Sequence, residues 1–171
     1  MLKLRKNKKG FTLVELIVVI AIMAVLAGVV AGVTVSQLNK QTDKTGQSQA
    51  NTIAQFLSQC ALTGEDDEKI TTDTEDATTH EITTAFAPSA LTDLIDAQYS
   101  SASIKVLSTG TQARGQIFVS IVPTTATGAD ATHKGSIKIY YKGKQSGTTG
   151  DVTYYVAVDG TITKVTPTSG D

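Results

Sequence analysis

Lys9-Gly10-Phe11-Thr12-Leu13-Val14-Glu15 opens onto an apolar run that continues to Val35, and between Leu16 and Val33 the chain has no charge and no proline. Those eighteen positions reach about 27 Å as an α-helix, close to the hydrocarbon thickness of a bilayer. In lipid every backbone amide must be satisfied within the segment, so the run is helical. The residues before it include Lys3, Arg5, Lys6, Lys8 and Lys9 and no acid. Such a basic flank stays on the cytoplasmic side and directs the rest of the chain outward.

Glu15 is the residue that needs explaining. A carboxylate flanking a spanning helix carries a cost of a few kcal/mol and usually marks function. Its ordinary role would be to sit in the first helical turn, where the positive end of the helix dipole favours it. That role leaves the rest of the pattern unexplained: five cations, a glycine, then Phe-Thr-Leu-Val-Glu.

With these residues in view, the first thirty-five positions resemble the class III signal of type IV pilins and pseudopilins. The resemblance implies that a prepilin peptidase cuts between Gly10 and Phe11 and N-methylates Phe11. It also implies that Glu15 meets the Phe11 amine of a neighbouring subunit during assembly. That pairing is physically sound, because an ammonium entering an apolar bundle is strongly disfavoured unless a carboxylate partners it. The implied partners are other subunits, the peptidase, an assembly ATPase, a membrane platform protein and the cytoplasmic membrane. The expected path runs from a single-pass membrane precursor, N-terminus inside, to an extracellular fibre.

Other readings compete for the same stretch. A secretory signal could be cleaved after Val25-Leu26-Ala27, but the apolar core is too long and contains a glutamate. A pseudopilin of a type II secretion or competence system shares the leader and helix. A monomeric membrane-anchored binding domain would predict no cleavage at Gly10 and no polymer.

The expected organisation is a leader at 1–10, an apolar assembly helix at 11–35, an amphipathic outer half at 36–62 and a head at 63–171. Gly28 and Gly32 stand at the spacing of a Gly-x-x-x-Gly packing motif, which lets helices approach closely. The alternative is a soft point where the helix stretches or melts. Ala50, Ile53, Ala54, Leu57 and Ala61 restore a helical stripe after a polar middle. One helix from about Thr12 to about Leu62 follows, with Gly46 as a candidate break. Cys60 belongs to the buried side of this helix.

The head is expected to be α+β, a mainly antiparallel sheet with one face on the long helix. Residues 64–100 form a variable loop region, with 64–86, including Glu65-Asp66-Asp67-Glu68, read as solvated loop. Pro88-Ser89 starts a short helix whose face is Leu91, Leu94 and Ile95. The sheet spans 103–166, with strands at Ser103–Leu107, Gln116–Val122, Ser136–Lys142, Val152–Val158 and Thr161–Thr166. Asp159-Gly160 marks a two-residue hairpin. Loops at 124–135 and 143–151 are expected to be exposed.

Removing the five leader cations leaves ten Lys/Arg against sixteen Asp/Glu, an acidic chain with no nucleic-acid footprint. One cysteine permits no internal disulfide. Many Gram-negative pilins close a loop with such a bond, so its absence points to a Gram-positive source. His80 and His133 are the only histidines, and no nucleophile elbow, phosphate loop or zinc motif occurs. A structural protein without cofactor is the expectation. Cation binding by the acidic run, or by Asp151 and Asp159, is weaker than the loop and turn readings.

Overall fold

The computed structural model describes residues 10–63, 70–77, 82–102, 104–108, 110–145 and 147–166. Leader residues 1–9, the acidic run Glu65–Glu68 and His80 lie outside them. The chain divides into two compact units, Met1–Leu38 and Asn39–Asp171.

Helix α1 is one uninterrupted element, Leu13–Thr63. In the first unit its apolar side chains are exposed along their whole length, from Leu13 to Leu38. In the second unit it buries Asp43, Gly46, Ala50, Ile53, Ala54, Leu57 and Cys60, a stripe with steps of mostly three and four. Ala61, expected within the stripe, is half-buried at its margin, while Cys60 is 2% exposed.

The head has the expected α+β architecture. A two-stranded antiparallel ribbon, β1 (Thr71–Glu75) with β2 (Ile82–Phe86), precedes helix α2 (Pro88–Tyr99). Five strands follow in the spatial order β3-β4-β5-β6-β7: Val106–Leu107, Gln116–Ile121, Ile137–Lys142, Val152–Val156 and Ile162–Val165. All neighbours are antiparallel except β3 and β4. Ile117 and Val119, then Ile137, Ile139 and Tyr141, then Val152, Tyr154 and Val156 form one core with the α1 stripe and with Leu91 and Ile95 of α2. The alternation in β5 is as expected: Ile137, Ile139 and Tyr141 are buried, and Lys138, Tyr140 and Lys142 are half-buried.

Three expectations are corrected. Residues 71–75 and 82–86 are strands, not loop; their threonines are β-branched and suit a pleated ribbon even without alternating hydrophobics. No break occurs at Gly46. The hairpin after β6 is longer than two residues: the Gly160 N–H donates to Ala157 C=O and the Ala157 N–H to Thr161 C=O. Gly160 takes φ +79°, the left-handed residue that follows a type I turn. The 124–135 loop is exposed at most of its positions, as expected, and none of its residues is fully buried. It contains a 3₁₀ helix, Gly128–His133, that packs over the outer face of β6. His133 stacks on Tyr155 with ring centroids 3.9 Å apart, and Tyr155 donates to Asp130 at 2.5 Å. Consequently β6 is buried on both faces.

Candidate functional site

Gly10 and Phe11 precede the helix, and Phe11 is 93% exposed. The first turn is built as a capping box. The Thr12 N–H and the Thr12 hydroxyl both donate to Glu15 Oε2 at 2.8 Å, and the Glu15 N–H donates back to Thr12 Oγ1 at 3.3 Å. Orphan amides of the helix end are thereby satisfied within the chain. The second oxygen, Oε1, carries no hydrogen bond among the described residues. The Thr-x-x-Glu spacing was readable in the sequence as a capping signature, and the dipole argument alone overlooked it.

Gly28 and Gly32 share the exposed surface of the first unit, and nothing lies within 4 Å of a Cβ built on either. Leu13, Val14, Ile22, Met23, Val25, Leu26, Val29 and Val30 are each more than half exposed. An apolar surface of that extent is not left in water by a soluble monomer. The helix is long and apolar enough to cross a membrane.

Within the head, the polar middle of α1 has a specific use. Asp43 is 2% exposed and accepts from Tyr141 Oη at 2.9 Å, the Lys144 N–H at 2.7 Å and Gln145 Nε2 at 2.9 Å. Burial by itself would raise its pKa, but the Lys144 amide, the Gln145 side chain and the Tyr141 hydroxyl together hold the carboxyl below its ordinary value. Burial, then the bond to Asp43, push the Tyr141 phenol upward. One turn on, the Tyr141 ring occupies the space where a side chain at position 46 would stand, so that position is glycine.

Asp151 closes the same β5–β6 loop from its other end, accepting from Tyr140 Oη at 2.6 Å and the Gly143 N–H at 2.7 Å. The Arg114 guanidinium donates to the carbonyls of Gly143, Gln145 and Gly147. The 143–151 loop is therefore tied down at three points. Asp159 accepts the Thr161 N–H at 2.9 Å, as a turn aspartate does.

Residues 5–31 match the family model described as the prokaryotic N-terminal methylation motif. The N-terminus carries the class III signal of type IV pilins and pseudopilins. That signal implies processing by a prepilin peptidase and assembly with other pilins, and together with the apolar helix it fits anchoring in a membrane. It points to a structural subunit. No curated protein and no solved structure matches the chain.

Proposed function

We propose that this chain is the structural subunit of a type IV pilus, cut after Gly10, methylated on Phe11 and polymerised through α1. The observation that carries this reading is the methylation motif on a helix whose apolar surface is uncovered along the first unit. Lipid covers that surface before assembly, and neighbouring helices cover it afterwards. Gly28 and Gly32 allow close helix approach, and the absence of any intramolecular neighbour at either glycine supports an intermolecular use. Acidic and threonine-rich heads then face the medium.

The capping box gives Glu15 a divided role. Oε2 closes the first turn of its own helix, and Oε1 remains for the Phe11 ammonium of an adjoining subunit. A carboxylate already oriented by Thr12 loses little side-chain entropy on forming that bond. Adhesion, motility or DNA uptake are the functions that such a fibre serves.

Mass spectrometry of N-termini from sheared surface material tests the reading. Methylated Phe11 is the expected first residue. A chain that starts at Gly28, or fibres that retain residues 1–10, would overturn it. The motif is shared with pseudopilins, and long extracellular fibres containing this chain separate the pilin from that alternative.

A further inference from the structure

A shallow groove of about 540 Å³ runs between α1 and the edge strand β7, lined in part by Lys44, Ser48, Asn51, Tyr154, Ile162 and Lys164. Tyr154 singles it out. The ring belongs to the core, and only 5% of the residue is exposed. Its hydroxyl forms no hydrogen bond among the described residues. No buried side-chain oxygen among those residues lacks a partner, so the small exposed part of Tyr154 includes Oη, which opens on the groove. On the same two strands Tyr140, Tyr141 and Tyr155 donate to Asp151, Asp43 and Asp130. A hydroxyl almost withdrawn from water and left unpaired is uncommon in a folded head and calls for an explanation.

The groups around that hydroxyl are unspent as well. Lys44, Ser48, Asn51 and Lys164 have no side-chain hydrogen bond or ion pair among the described residues. Lys164 Nζ lies 5.8 Å from the centroid of the Tyr154 ring, which keeps its charge beside the hydroxyl. No carboxylate stands among the lining residues. The groove therefore presents two ammonium groups, two hydroxyls and an amide, with Ile162 as an apolar contact, on a chain whose processed form has six more acids than bases.

We propose that this groove binds a phosphate monoester of a small polyol or sugar. Such a group carries a charge of about −1.5 to −2 near neutral pH and three strong acceptor oxygens. Two lysines match that charge, and the Tyr154 and Ser48 hydroxyls supply further donors. Lysine serves phosphate as a compact point charge, whereas a carboxylate is best held by the planar fork of arginine. The Tyr154 ring is buried and offers no face on which a base could stack, which disfavours a nucleic acid. The Asn51 amide suits the hydroxyls of the polyol and Ile162 its C–H face. The inference goes beyond the filament reading and requires only the folded second unit.

Isothermal titration calorimetry of the full-length protein in neutral detergent, with glycerol 3-phosphate as the probe, tests the site. Saturable binding at one site per chain is expected. Lys44→Ala and Lys164→Ala should each weaken it by about tenfold, the loss of one charge-assisted bond. Both side chains are exposed, so the variants should keep the wild-type melting temperature. Tyr154→Phe should weaken binding by about fivefold and also leave melting unchanged, because the hydroxyl has no intramolecular bond to lose. Glycerol should not bind, and inorganic phosphate should bind more weakly than the probe. No saturable binding by the wild-type chain, or an affinity indifferent to both lysines, would overturn the site. Glucuronate binding as tightly as glycerol 3-phosphate would overturn the choice of phosphate. Tighter binding to phosphatidylglycerol in mixed micelles would overturn the monoester in favour of a lipid headgroup.

Discussion

Glu15 closes the first turn of α1 through Oε2, and the pairing proposed for its Oε1 can be separated from that cap by substitution. Glu15→Ala should leave insertion and leader removal intact while abolishing fibres, read by electron microscopy and by the N-terminal mass. Normal fibres from that variant would remove the proposed pairing with the Phe11 amine. Thr12→Ala takes away only the cap, a loss of about 1 kcal/mol at the helix end. It should reduce fibre yield while sparing assembly, because the carboxylate survives without its orienting partner. At the same scale, Gly46 is determined by what lies on it. Gly46→Ala would press a methyl group into the Tyr141 ring, and overpacking of this kind costs about 1–3 kcal/mol. A lower melting temperature of the full chain in detergent, followed by tyrosine near-ultraviolet circular dichroism, is the expected result.

At the scale of elements, α1 and the β5–β6 loop stabilise each other through Asp43. Asp43→Ala would leave the Tyr141 hydroxyl, the Lys144 amide and the Gln145 amide without their shared acceptor. Bonds to a charged acceptor contribute about 1.5–3 kcal/mol each at most, and part of the loss is recovered by water at the exposed Lys144. A destabilisation of about 3 kcal/mol is expected, or roughly 10 °C in melting temperature for a head of this size. Faster proteolysis within 143–151 should accompany it. The helix itself was legible from the stripe Ala50–Leu57 and the apolar run. The use of its polar middle was not, because periodicity records hydrophobic burial and is silent on a buried carboxylate whose partners lie a hundred residues away. The ribbon β1–β2 was missed for a related reason, since its threonines carry strand propensity without an alternating pattern.

For the whole molecule, Asp43 and Asp130 set the response to acid. In both, burial opposes ionisation, and hydrogen bonds outweigh it: the Lys144 amide leads for Asp43, and Lys138 followed by Tyr155 for Asp130. Their folded pKa values lie below the ordinary 3.8. A depressed carboxylate pKa contributes stability that is fully present above the unfolded value and is lost as pH falls through the folded one. The head should therefore hold its stability from neutrality down to about pH 4 and lose it progressively below that. Asp43→Asn should flatten that acid limb while lowering stability at neutral pH, as measured by thermal melts across pH 2–7. An acid limb unchanged in Asp43→Asn would deny the carboxylate this role.

The N-terminal half of the story was written in local order. A charge-free run, a basic flank and a Thr-x-x-Glu cap act through neighbours three or four residues away, or through lipid, so the linear chain determined the helix and its methylation motif. The positions of β4 to β7 followed in the same way from alternation and from Gly and Thr punctuation. Only the folded head decided why Asp43 is buried, why Gly46 has no side chain, and why β6 is apolar on both faces. Those facts depend on Tyr141, the 143–151 loop and the Gly128–His133 helix arriving from distant parts of the chain, and no short-range pattern encodes such a meeting.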